Sequence, residues 1–206
     1  MKKVYDTINQ YCVEHELLTN GDGIVIGLSG GMDSVCLLQV LAALRNEWQL
    51  RLVCVHVHHG IRGTAADEDA AFAQRLAAKY NISFRLYEMD IPQLAKEQGL
   101  SEEEAGRNYR YRCFEEVRKE LNFDKIAVAH HRDDQAETVL WQILRGSGLR
   151  GVCGMRAWRA NIIRPLLCLD RQQIEQIVRG NGDGWREDAT NREEKYTRNN
   201  CLLYTS

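Results

Sequence analysis

Ile24-Val25-Ile26-Gly27-Leu28-Ser29-Gly30-Gly31-Met32-Asp33-Ser34 is an apolar run that breaks into a glycine turn and then opens a second apolar pattern over 34–45. The first part reads as a buried strand and the last as a helix, with the turn between them. Phosphate oxygens need several short donors at once, and only a tight backbone with small side chains lets them approach. Gly30 and Gly31 permit that approach, Ser29 and Ser34 add hydroxyls, and the opening turn of a helix favours an anion. A Walker A loop would need Gly-x-x-x-x-Gly-Lys-Ser/Thr, and no lysine stands at that place. The turn is therefore a different phosphate cradle.

Working outward, an amphipathic helix over 4–18 and the turn Asn20-Gly21-Asp22-Gly23 precede this unit. After it come a strand over 50–57, a helix over 67–80, a strand over 82–89, and a short helix near Pro92. A long helix over 101–122 follows, opened by the Ser-x-x-Glu pair Ser101/Glu104, then a strand over 126–129, a helix over 133–145, and a strand at Ile162-Ile163. Strands separated by helices of this length cannot be hairpins. The expected fold is α/β: a doubly wound, mostly parallel five-stranded sheet with helices on both faces. Ligands of such sheets bind beyond the carboxyl ends of the strands, where the strand order reverses. The first, second and fourth strands end in the turn above, in His56-Val57-His58-His59-Gly60-Ile61-Arg62, and in His130-His131-Arg132-Asp133-Asp134-Gln135, so three polar clusters should converge on one rim. Successive strand residues face opposite sides, so only some of His56, His58 and His59 can see one site. Gly146-Ser147-Gly148-Leu149-Arg150-Gly151 satisfies GxGxxG but follows a helix instead of opening one, and is not a dinucleotide fingerprint.

A chain of 206 residues supports one main domain. No apolar run approaches the ~20 residues that span a bilayer, and the N-terminus lacks the pattern of a secretory signal, so no membrane partner and a cytoplasmic location are expected. Seven scattered cysteines, none at CxxC spacing, read as reduced buried thiols and give no support to a zinc ribbon, redox pair or cysteine-held cluster. Net charge is −2, yet residues 141–200 hold eleven Lys/Arg against seven Asp/Glu. Arg145, Arg150, Arg156, Arg159, Arg164 and Arg171 lie there with Asp170 the only acid among them, so this third is where a basic surface for a phosphate backbone could form.

The SGGMDS turn after a strand resembles the PP-loop of the ATP pyrophosphatase superfamily, whose members adenylate a substrate and release pyrophosphate. His58-His59-Gly60-Ile61-Arg62, Glu104-Ala105-Gly106-Arg107-Asn108-Tyr109-Arg110-Tyr111, Ala129 to Thr138, Arg145-Gly146-Ser147-Gly148, Gly154-Met155 and Arg164-Pro165-Leu166-Leu167 narrow the likeness. Together they resemble the tRNA(Ile)-lysidine synthetase family over about residues 22–200. Gly106 and Asn108 stand where that family more often has Ala and Glu, and Asn200-Cys201-Leu202 replaces its usual isoleucine-arginine continuation.

The resemblance implies ATP and Mg²⁺ as cofactors, with the anticodon region of tRNA(Ile) and free L-lysine as partners. The wobble cytidine is adenylated, and lysine then displaces AMP. It places Ser29, Gly30, Gly31, Met32, Asp33, Ser34, His56 and Arg62 on the nucleotide, Asp33 and Asp134 on the metal, and Asp33, Arg110, His131, Asp134, Glu137 and Arg198 in the chemistry. Residues 1–180 are then the PP-loop ATP-binding catalytic domain and 181–206 a polar C-terminal extension, the truncated start of a following region. The chain is compatible with a homodimer. Two other readings stand beside this one: a PP-loop tRNA thiolase, which generally needs paired or catalytic cysteines, and a non-catalytic nucleotide-binding module, which needs neither Arg110 nor Glu137.

Overall fold

A computed structural model describes residues 2–58, 64–144 and 154–186. Helix α1 (Lys2–Glu14) leads into β1 (Gly23–Gly27), α2 (Met32–Leu44), β2 (Arg51–His58), α3 (Thr64–Lys79) and β3 (Ser83–Glu88). Then follow α4 (Ile91–Gln98), α5 (Glu102–Glu120), β4 (Lys125–Ala127), α6 (Arg132–Leu144), β5 (Trp158–Arg159), β6 (Ile162–Ile163), a 3-10 turn (Pro165–Cys168) and a last helix, here α7 (Arg171–Asn181).

The strands form one sheet in the order β3-β2-β1-β4-β6-β5. All neighbours run parallel except β5 and β6, a short antiparallel pair with Trp158 opposite Ile163. The five expected strands are present; the sixth, β5, is a two-residue edge strand too short to carry a periodic signal. From β1 the chain winds outward through β2 and β3 and then returns to the other side of β1 as β4. The reversal therefore falls between β1 and β4, and the crevice beyond their carboxyl ends is the ligand position of such a sheet.

The period of two along each strand feeds two separate cores. Ile24 and Ile26 of β1, with Leu52 and Cys54 of β2, pack on the face covered by α1, α2, α3 and α7. Val25, with Val53, Val55 and Val57, faces α4 and α5. Helix α2 is buried nearly all round, which is why its sequence is apolar without a polar stripe. Gly27 is glycine because a Cβ there would stand 2.7 Å from Cζ of Phe114 on α5.

Helix ends follow local chemistry. Helix α1 stops four residues short of the apolar pattern because Glu16 takes a left-handed φ of 53°. Leu17 N–H then reaches back to Cys12 C=O and Glu16 N–H to Val13 C=O, a Schellman closure. Leu17 and Leu18 are buried all the same, which is what misleads the periodicity. Ser101 caps α5 by accepting from Glu104 N–H, as its sequence indicates. Helix α7 is the element the sequence reading did not find: Asp170 and Gln173 form a full capping box, and Ile174, Ile177 and Val178 make its buried stripe. No described helix is long and apolar enough to cross a membrane.

Gly27→Ala should push the Phe114 ring off its seat and cost about 1–3 kcal/mol, read as a lower urea midpoint with an unchanged slope.

Candidate active site

The turn after β1 is built around its own hydroxyls. Gly30 has φ 93°, a conformation that a side chain would strain. Its N–H donates to Ser34 Oγ at 3.1 Å; Ser29 Oγ donates to the same oxygen at 3.1 Å, and Ser34 Oγ donates to Gly31 C=O at 2.9 Å. Gly31 N–H points to Ser29 Oγ at 3.3 Å. Ser34 is buried, so its hydroxyl shapes the turn from beneath. The first-turn amides of α2 have no intrahelical acceptor, and the N-cap Gly31 brings no side chain to cover them. Those amides are open to an anion.

Asp33, in that first turn, meets the cluster at the end of β4. His131 Nδ1 accepts from Asp133 N–H at 3.2 Å, which leaves the ring proton of a neutral imidazole on Nε2. Nε2 sits 3.7 Å from Asp33 Oδ2 and 3.6 Å from Asp134 Oδ2, between the two carboxylates. Asp134 Oδ2 also accepts from His131 N–H at 2.9 Å. Asp33 is 35% exposed as a side chain, yet its Oδ1 is buried and without a hydrogen-bond partner. Burial pushes its carboxyl above the usual range, opposed by the charges of His131 and Arg171. An orphaned carboxylate oxygen beside a second carboxylate is a fit for a hard cation. Mg²⁺ commonly takes one or two carboxylates and completes its shell with water and substrate phosphates. The cluster is braced from behind, where Asp133 Oδ2 accepts from Arg171 N–H and Arg132 pairs with Asp170.

His56 is buried, with Nδ1 2.8 Å from Leu28 C=O, so it donates there and secures the end of β1. Burial holds its pKa below the usual value, and the charge of Arg110, an exposed residue of α5, acts in the same direction. One turn earlier on α5, Arg107 acts likewise on His130. His130 is pushed down to about 4, first by burial and then by Arg164. Arg164 is only 7% exposed; its Nε lies 3.3 Å from His130 Nδ1, and an Nη donates to Arg156 C=O. Its place in an expected basic surface is therefore corrected: a basic side chain on β6's exit is spent inside the fold, whereas Arg156, Arg159 and Arg171 are exposed.

Ser29 to Ser34, His131 and Asp134 thus come together, with His56 behind them. Glu137 is an exposed residue of α6, one turn beyond Asp133. Arg62, Arg198, His59 and the Gly146–Gly151 stretch fall outside the described residues. Two features were missed by the sequence reading. Arg186 donates its backbone N–H to Gly30 C=O at 2.9 Å, and buried Asp183 ties that segment to α2 and α3. The signal available was the Gly182-Asp183-Gly184-Trp185 pattern, two left-handed glycines around an acid and an aromatic anchor, which reads as loosening chain.

This is a mostly parallel α/β fold with a glycine-serine turn and a pair of carboxylates at its switch point. The chain belongs to the PP-loop domain family, whose sequence profile matches residues 2–202. It is 47% identical over 203 residues to the tRNA(Ile)-lysidine synthase of Caldanaerobacter subterraneus subsp. tengcongensis, covering 98% of this chain and 43% of that protein. The tRNA(Ile)-lysidine synthases of Clostridioides difficile and Geobacillus kaustophilus are 42% and 36% identical, over 98% and 94% of this chain. The chain spans less than half the length of these relatives. Among solved structures, the U34-tRNA thiolase NcsA of Methanococcus maripaludis with its [4Fe-4S] cluster superposes with a TM-score of 0.71 at 20% identity, covering 90% of this chain and 65% of that one. The NH3-dependent NAD synthetase of Campylobacter jejuni gives 0.54 at 18% identity, covering 87% and 70%. These two share the fold.

A carboxyl with a raised native pKa binds more protons folded than unfolded in the window between the two values, so stability falls as pH rises through it. Asp33→Asn removes that penalty. The variant should have the higher urea midpoint at pH 8, with the gap closing below about pH 4.

Proposed function

We propose that this chain is the catalytic domain of a tRNA(Ile)-lysidine synthase. The observation that carries the reading is the meeting of the Ser29–Ser34 turn with Asp33, His131 and Asp134 at the β1/β4 crevice, in a chain so close over its length to lysidine synthases. ATP lies with its phosphates on the turn and on the first amides of α2. Asp33 and Asp134 would hold Mg²⁺, which would supply charge neutralisation for the triphosphate. The O2 carbonyl of the wobble cytosine attacks the α-phosphorus, the α–β bridging bond breaks, and pyrophosphate leaves. The ε-amine of free lysine then attacks C2 of the adenylated base; AMP leaves with the former carbonyl oxygen, and the amine gives up its surplus protons.

Each of the chain's own groups has a task. Arg110, with Arg198, neutralises charge developing on the pyrophosphate or the adenylated base, and Arg62 contacts the nucleotide. His56 stays neutral through burial and holds the turn's approach by its bond to Leu28 C=O. His131, with Nδ1 engaged by Asp133 N–H, offers a proton on Nε2 and serves to set the two carboxylates. That leaves Glu137 to accept a proton from lysine, whose neutral amine costs about 4.6 kcal/mol to generate at pH 7. The described cysteines do not suit the thiolase reading: burial raises buried Cys12 and Cys54 to about 12, and half-buried Cys168 to about 11, so they remain thiols. Among the described residues no cluster of three or more His, Cys, Asp or Glu side chains is arranged for a metal.

Pyrophosphate and AMP formation on an anticodon stem-loop separates the readings. Lysine-dependent AMP release is expected; dependence on a sulfur donor would select the thiolase, and nucleotide binding without turnover the module. Glu137→Gln should lower lysine transfer by about a hundredfold, the lower range for a general base, while pyrophosphate release in the first half-reaction stays within a few-fold of wild type.

A further inference from the structure

We propose that residues 182–186 form a strap that sets the conformation of the phosphate turn, with the backbone amide of Arg186 as its positioning group. The inference rests on the turn holding ATP, as proposed above.

The strap is fastened at both ends. Gly182 and Gly184, at φ 71° and 68°, bend the chain around Asp183, whose side chain is 2% exposed. That carboxylate accepts from Gln39 Nε2 of α2 at 2.7 Å, and from Lys79 Nζ and Tyr80 OH at the end of α3. Three donors on one buried carboxylate more than offset its burial, so its pKa stays below the usual range. Asn181 adds a bond to Gln39 Oε1 on the same helix. At the other end the Arg186 guanidinium bridges α3, with Nε 2.7 Å from Asp69 Oδ1 and Nη2 2.8 Å from Glu68 Oε2.

Between these anchors Arg186 N–H donates to Gly30 C=O at 2.9 Å. A trans peptide carries its C=O and the next N–H on opposite edges of one plane. Holding Gly30 C=O toward the strap therefore turns Gly31 N–H the other way, to the side where Ser29 Oγ lies at 3.3 Å. Arg186 also closes the space behind the turn, since its Cγ lies 3.8 Å from the place of a Gly30 Cβ. Released, the plane between Gly30 and Gly31 keeps only the 3.3 Å bond of Gly31 N–H to Ser29 Oγ, and a ligand must reorder it on binding. The strap touches no phosphate; it acts through the turn. It also joins the turn to α2 and α3, the helices on either side of β2.

The test uses the full chain with Mg²⁺ and α,β-methylene-ATP, followed by calorimetry. Arg186→Pro removes the N–H and should weaken nucleotide binding by about tenfold, on the scale of one lost hydrogen bond; Arg186→Ala keeps the N–H and should weaken it only a few-fold. Both should raise KM for ATP with kcat nearly unchanged. Equal affinity of wild type and a folded Arg186→Pro would overturn the strap alone. Failure of wild type to bind nucleotide would overturn the ATP reading and the strap with it. If Arg186→Pro does not fold, hydrogen exchange on wild type decides: the Arg186 amide should gain protection when nucleotide is added, and an unchanged rate there beside protected turn amides would overturn the proposal.

Discussion

Parallel pairing of β1 with both β2 and β4 is the constraint from which the site follows. A parallel neighbour on each side forces the chain to leave β1 by a crossover and later to return across it. No crossover helix then covers the gap above β1 and β4. The end of β1 opens a buried helix whose first amides face that gap, and the end of β4 delivers Asp134 and His131 to the same place. The two contributions lie about a hundred residues apart in sequence, and only the strand order brings them together. Gly27 is part of the same constraint, because β1 is central and has α5 pressed against it.

Electrostatically, the crevice is a balance of buried charge kept apart by geometry. Asp33 is held in an environment that disfavours its ionised form, with one oxygen unbonded, while His131 is oriented so that its Nε2 lies between two acids. Behind them His130 and Arg164 form a second layer in which burial depresses both groups. Such an arrangement is costly in the empty protein and favourable once opposite charge enters. Preorganised centres for charged ligands carry that trade between stability and function.

Most of this was legible in the sequence, for a physical reason. The strand-turn-helix at 24–45 has one buried outcome, and the switch-point rule then says which distant clusters must meet; Asp33, His131 and Asp134 did. Other parts were illegible for equally physical reasons. The end of α1 depends on a left-handed glutamate that no periodicity announces. Arg164 looked like surface charge because its burial depends on bonds to His130 and to the backbone carbonyl of Arg156, just ahead of β5. Segment 182–186 is polar and glycine-rich, which ordinarily marks loose chain, and only the placement of Gln39, Lys79 and Tyr80 makes Asp183 an internal residue.

The side-chain amide of Gln135 behaves like a piece of strand. Its Oε1 accepts from Met155 N–H and its Nε2 donates to Met155 C=O, and Gly154 beside it has no room for a Cβ. Met155 is thus held against α6 through both of its backbone polar groups. The clasp thereby fixes the start of the run toward β5 against the opening turn of α6, and it steadies the acid one position before Gln135 from outside its own helix.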